Sequence, residues 1–212
     1  MDGIIFDVDG TLWDAREEMA YSWTEAVRTE VGLDCTITAE RITSELGKPM
    51  HILVANLFPE ADEDQLEIIY KNMCLYENRR LVDHPGILYD GMKEAVKKLS
   101  ETYKLFIVSN CHPGYIDVFL DTTGLREYFV DYTCPGDTGK LKGENIRIIM
   151  ERNDLQDAIY VGDTQGDADA CKEAGIPMIF AAYGYGDVEG EYPTIQSMHE
   201  LPELIFSMEN EK

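Results

Sequence analysis

Apolar residues fall into two textures along this chain. Residues 3–6 end in an unbroken apolar run, Ile4, Ile5 and Phe6, and similar runs stand at 105–108, 158–161 and 178–181. Such runs suit strands buried on both faces of a parallel sheet. Elsewhere the spacing is helical. Met19, Trp23, Ala26 and Val27 mark one face over 17–31, and further helical patterns lie near 42–46, 52–58 and 64–81. No strand pattern falls between 15 and 83. Asp83-His84-Pro85-Gly86 then breaks the chain. Beyond it helices are expected at 91–100, 114–122, 144–152, 167–174 and 201–208. They alternate with strands at 105–108, 129–133, 158–161 and 178–181. This order predicts an α/β fold: a Rossmann-like parallel sheet core from residues 1–14 and 86–212, interrupted by an inserted all-α cap at 15–85. The acidic end at 209–212 is expected to fray.

The first strand delivers two carboxylates, Asp7 and Asp9, into a Gly-Thr turn. A buried strand has no use for acid in its interior, whereas the C-terminal edge of an open α/β sheet is where sites are built. On an extended chain residues two apart share a face. Two carboxylates ~4 Å apart repel by roughly 1 kcal/mol in water and ~4 kcal/mol at an effective dielectric of 20. Either a cation lies between them or one holds a proton. Each later strand also ends in polar groups: Ser109-Asn110 after Val108, and Asp163-Thr164-Gln165-Gly166-Asp167 after Gly162. Asp163 and Asp167 are four apart, so a helical first turn sets them on one face, where they could also cap the helix. With Asp7 they make an oxygen-only cluster suited to Mg²⁺. Ser109-Asn110 offers hydroxyl, amide and backbone N–H groups of the kind that hold phosphate oxygens. Lys140 and Lys142 stand just ahead of a helix.

A formal net charge of −23 over 212 residues argues against nucleic acid or an anionic membrane as partner. The longest apolar stretch, near 176–183, is too short to span a bilayer, and the early first strand leaves no room for a signal peptide. Five cysteines, 35, 74, 111, 134 and 171, form no CxxC pair. They read as reduced thiols in a cytoplasmic protein.

In this order the four pieces resemble the haloacid dehalogenase-like superfamily of phosphatases, in its phosphoglycolate phosphatase-like branch. Asp7 to Asp14 is similar to its first motif, Ser109-Asn110 to its second and Gly162 to Asp167 to its fourth. Lys142, immediately before the helix leading to the fourth motif, is the preferred third-motif lysine over Lys140. The resemblance implies a C1-type helical cap and hydrolysis of a small phosphorylated metabolite. Asp7 would be the nucleophile, forming an aspartyl-phosphate, and Asp9 the acid–base group. Mg²⁺ would be bound by the Asp7 carboxylate, the Asp9 backbone carbonyl and Asp163, with Asp167 in support. Ser109, the Asn110 amide and Lys142 would hold the phosphoryl group.

The presence of Asp9 speaks against dehalogenase chemistry, and Met19 stands where the β-phosphoglucomutase branch carries a cap histidine. Phosphomutase and inorganic pyrophosphatase of the same cap class stay as alternatives. A phosphorylatable receiver module and a non-catalytic phospho-ligand binder fit less well. Trp13 is open between a hinge or pocket-mouth role and simple packing. His112 is expected at a helix entry, Lys48 in solvent, and Tyr21 and Trp23 in the cap core. Tyr183 to Gly186 is expected to be an ordinary loop.

Overall fold

The computed structural model describes residues 1–210. The first strand, β1 (Gly3–Phe6), is followed by the short β2 (Trp13–Asp14) and by helices α1 (Arg16–Ala26), α2 (Ala39–Thr43), α3 (Met50–Leu57) and α4 (Glu63–Asp83). A π-helical turn, Val27–Val31, extends α1 and ends on Gly32 at φ 74°. After the break come β3 (Ile87–Leu88), α5 (Met92–Ser100), β4 (Lys104–Val108), α6 (Tyr115–Thr123), β5 (Phe129–Thr133), α7 (Pro135–Thr138) and α8 (Lys142–Arg152). The chain continues through β6 (Ala158–Gly162), α9 (Gln165–Ala174), β7 (Met178–Ala181), β8 (Thr194–Ile195) and α10 (Leu201–Asn210). The fold is α/β, as the apolar pattern predicts. Among the described residues no helix is long and apolar enough to cross a membrane.

Six parallel strands form one sheet in the order β5-β4-β1-β6-β7-β8. Phe6 pairs with Ile107 on one side and Val161 on the other. The chain builds outward from β1 through β4 to β5, then returns to place β6 on the opposite side. That reversal puts a switch-point crevice at the C-terminal ends of the three central strands. Alternation along β1 divides the core. Ile4 and Phe6 face the large apolar cluster with α5, α6 and α10, whereas Ile5 packs with Phe106, Ile146 and Ile149 under α8.

Two short elements escape the sequence pattern. β2 and β3 pair antiparallel, Trp13 opposite Leu88, where the chain leaves and re-enters the sheet layer. Two-residue strands carry too little periodicity to read. α4 is set by a capping box, Asp62 accepting from Gln65 N–H while the Gln65 side chain accepts from Asp62 N–H.

Two expectations are corrected. Tyr21 is 54% exposed, with the Arg80 guanidinium 4.3 Å above its ring, because Met19 and Trp23 take the buried face of α1. Trp23 is buried as expected. The chain end does not fray at Glu209: residues 209 and 210 continue α10, and Glu209 accepts from the Met1 ammonium at 2.8 Å and the Tyr103 hydroxyl. Residues 211 and 212 lie outside the described residues.

Candidate active site

The crevice is built from the residues following β1, β4 and β6. Asp7 leaves β1 still in the ladder, its N–H donating to the Val161 carbonyl at 2.9 Å. The chain then turns so that the N–H groups of Leu12 and Trp13 both reach the Val8 carbonyl. Gly10 makes the turn at φ 81°, and a Cβ there would lie 2.1 Å from Asp163 Oδ2. Glycine is therefore required twice over, by backbone conformation and by space.

Asp7, Asp163 and Asp167 bring carboxylate oxygens within 4.8 Å of one another, all buried. Lys142 enters from the first turn of α8, 3% exposed, with Nζ 3.2 Å from Asp7 and 2.5 Å from Asp167. Lys140 is exposed and pairs with Glu144 at 3.5 Å. Asp167 is saturated: Oδ2 accepts from the N–H and hydroxyl of Thr164 and the N–H of Asp163, and Oδ1 from Lys142. It thus caps α9 and fixes the lysine at once. Asp163 accepts from the Thr11 hydroxyl at 3.2 Å and the Tyr185 N–H at 2.8 Å. Asp7 Oδ1 is buried and accepts no hydrogen bond among the described residues.

One lysine against three carboxylates leaves a charge deficit that burial magnifies. Burial pushes the Asp7 carboxyl up to about 6, Lys142 opposing and Asp167 reinforcing the rise. Asp163 stands well above the carboxylate range, from burial first and then Asp167 and Asp7. A hard divalent cation fits this set: the donors are all oxygen, and the buried Asp7 Oδ1 makes no hydrogen bond among the described residues.

Asp9 does not share this cluster. The strand ends at Phe6, so the extended-chain expectation of a common face fails at the turn. The Asp9 carboxylate instead accepts from the Tyr115 hydroxyl at 2.5 Å and Trp13 Nε1 at 3.0 Å. Burial pushes it up to about 7, Tyr115 pulling it down and the Asp7 charge pushing it up. Trp13 is thus both packing and polar contact, its ring edge-on to Tyr115 and Phe119.

Ser109 and Asn110 lie at the end of β4, Ser109 buried. The Asn110 side-chain amide donates to the Gly47 carbonyl at 2.7 Å, so it clasps the loop between α2 and α3. His112 is not merely a helix entry. It is buried and meets Glu77 of α4 at 3.2 Å. Tyr185 and Gly184 are also more than a loop, since Tyr185 donates to Asp163 and a Cβ on Gly184 would strike Asp163 at 2.3 Å. The glycine-tyrosine alternation at 183–186 was the available signal. The α1–α4 segment leaves a pocket of about 40 Å³ over Asp7 and Asp9, room for only a few waters. Lys48 sits at its rim, half in solvent and paired with Glu45 at 2.7 Å.

A carboxylate cluster and buried lysine at the switch point of a parallel sheet define a class, and comparison supplies its name. The sequence profile of the haloacid dehalogenase-like hydrolases matches residues 4–181, and the chain belongs to that family. Within it, this enzyme is similar to phosphatases. The phosphoglycolate phosphatase of Photobacterium profundum is 28% identical over 197 residues, covering 86% of this chain and 83% of its own. That of Aquifex aeolicus is 27% identical over 212 residues, covering 98% and 96%. In fold, a predicted phosphatase from Clostridium acetobutylicum superposes with a TM-score of 0.84 at 22% identity, covering 97% and 98% of the two chains. CbbY from Rhodobacter sphaeroides, solved in complex with phosphate, gives 0.81 at 19% identity, covering 95% and 96%.

Two stability measurements test this arrangement. In metal-free protein, Lys142→Ala should lower the unfolding free energy by about 3–5 kcal/mol, because it strands buried carboxylates. Lys140→Ala should stay within about 0.5 kcal/mol in the same denaturant titration. The second concerns His112. Burial alone would lower its pKa, but the Glu77 carboxylate and the Pro113 carbonyl raise it above the ordinary histidine value. Folding therefore favours the proton. The contribution is complete below the ordinary value and is lost as pH rises through the raised one. Unfolding free energies of wild type and His112→Gln, measured across neutral pH, should converge as pH rises; a constant gap would contradict the pairing.

Proposed function

We propose that this enzyme is a Mg²⁺-dependent phosphomonoesterase, phosphoglycolate phosphatase-like in its chemistry, acting through an aspartyl-phosphate on Asp7. The observation that carries the reading is Asp7 Oδ1, a buried carboxylate oxygen with no donor, in a carboxylate held beside Lys142 and opening on the pocket. Residues 15–85 act as a cap over residues 1–14 and 86–212, hinged at the β2–β3 pair. Small phosphorylated metabolites are the substrates, and the five free thiols support a cytoplasmic setting.

The Asp7 carboxylate attacks phosphorus in line as the bond to the leaving oxygen breaks. Asp9, able to hold a proton near neutral pH, gives it to that oxygen. Water then attacks phosphorus and yields its proton to Asp9, releasing inorganic phosphate and restoring Asp7. Lys142 keeps the nucleophile oriented and offsets charge on the transferring group. The Ser109 hydroxyl and the backbone N–H of Asn110 hold phosphoryl oxygens, since the Asn110 side chain is engaged by Gly47. Asp7, the Asp9 carbonyl and Asp163 would hold Mg²⁺, with Asp167 in support. When bound, it supplies charge neutralisation for the phosphoryl oxygens. The small pocket leaves little room over Asp7 and Asp9, and movement of the cap would admit the substrate. Met19 lines the pocket and offers no base for mutase chemistry.

Phosphate release from an activated aryl phosphate tests this reading. Asp7→Asn should lose at least ~10³-fold in kcat while its circular dichroism is unchanged. EDTA should silence the wild type and added Mg²⁺ should restore it. Activity in Asp7→Asn, or activity indifferent to chelation, would overturn the mechanism.

A further inference from the structure

Asp9 lies past the end of β1, so no strand holds its side chain. Its orientation comes from two aromatic donors. The Tyr115 hydroxyl donates to Asp9 Oδ1 at 2.5 Å, and Trp13 Nε1 donates to the same oxygen at 3.0 Å. Trp13 Nε1 also lies 3.2 Å from the Tyr115 hydroxyl oxygen. The three groups close a triangle. The phenol accepts from the indole while its own proton goes to the carboxylate, and each bond polarises the next. Both donors are fixed by packing. Tyr115 opens α6 and is buried, as is Trp13. The Tyr115 ring stands edge-on to Trp13, with centroids 5.7 Å apart, and to His112 at 5.5 Å.

Asp7, Asp9 and Tyr115 all line the pocket. A carboxyl group that protonates a departing oxygen must meet it within hydrogen-bond reach, and a misplacement of ~1 Å can cost ~100-fold in rate. With two donors on Oδ1, a proton carried by Asp9 is left to the other oxygen, because a further hydrogen at Oδ1 would displace one of these bonds. The aromatic pair therefore selects both the rotation of the carboxyl group and the oxygen that delivers.

We propose that Tyr115 is a positioning residue for leaving-group protonation: with Trp13, it holds Asp9 in the orientation from which the departing oxygen is protonated. This rests on the phosphomonoesterase reading above, in which Asp9 is the acid. As Asp7 bonds to phosphorus, the bond from phosphorus to the leaving oxygen breaks. That oxygen keeps the bonding pair and takes the proton, leaving Asp9 ionised. An alcohol that departs as a stable anion has no need of the proton, so the contribution of Tyr115 grows as the leaving group becomes a poorer anion.

The test measures kcat/KM for nitrophenyl phosphate and phenyl phosphate with Mg²⁺ present, two esters of similar shape whose alcohols differ in acidity. This parameter is set by steps up to departure of the alcohol, so the later attack of water does not enter it. Tyr115→Phe, which keeps the ring, should lower it by ~10–100-fold on phenyl phosphate and by at most ~3-fold on nitrophenyl phosphate. Asp9→Asn should show a larger loss with the same selectivity, and adding Tyr115→Phe to it should cost at most ~2-fold more. An equal loss on both esters, no loss on either, or effects that multiply in the double variant overturns the proposal. Should Tyr115→Phe not fold, Trp13→Phe, which withdraws the other donor, carries the same comparison. A selective Asp9→Asn beside an unselective Tyr115→Phe removes this inference alone. An Asp9→Asn that slows both esters equally, or a wild type that hydrolyses neither, overturns the underlying reading as well.

Discussion

The buried Lys142 ammonium is the interaction on which the rest of this site depends. It sits within 3.2 Å of Asp7 and closer still to Asp167, and among the described residues it is the cation that offsets the acids at the sheet edge. Burial would drive the lysine toward neutrality, but the two carboxylates reverse that and keep it charged. Burial, reinforced by the neighbouring acids, still raises Asp7 and Asp163, and Lys142 only partly opposes it. The cluster is therefore held together and left incomplete by the same residue. A buried carboxylate cluster left undercompensated in this way favours a cation in the same space.

The fold supports this by distributing tasks between neighbouring acids. Asp167 has no free acceptor left and acts as a frame, joining α9, Thr164 and Lys142. Asp163 is seated by Thr11 and by the backbone of Tyr185, from a loop across the crevice. Asp7 keeps one oxygen unengaged. Asp9, two residues on, belongs to a separate aromatic setting of Trp13 and Tyr115. The turn after β1 thus converts two chemically identical side chains into unlike ones by giving them different neighbours.

Much of the architecture was legible in the sequence because each of its signals is local. Apolar runs marked the four core strands, and helical spacing marked the helices between 15 and 83. Position 129–133 was readable as a strand despite its mixed exposure. The β2–β3 pair and β8, at two residues each, gave no period to read. At the site, the spacing of Asp7, Asp163 and Asp167 brought them forward as candidates, and the family resemblance picked Lys142, which proves to open α8. What the sequence hid was long-range. Nothing local reveals that His112 meets Glu77 across 35 positions, that Asn110 clasps Gly47 across 63, or that Tyr185 donates its N–H to Asp163. Those contacts exist only once α4 and the two loops are laid over the sheet edge.

The Trp23–Glu77–His112 contact has a consequence for how such an enzyme changes over generations. Glu77 Oε2 ties α1 and α4 to the loop after β4, and Glu77 also lines the pocket. A substitution at 77 therefore disturbs the packing of α1 and α4 and one wall of the pocket in a single event. Trp23 and His112 would have to be refitted at the same time to avoid stranding buried donors. Change at this position should therefore proceed by coordinated replacement of the trio, because a single change that removes the acceptor leaves buried donors unpaired.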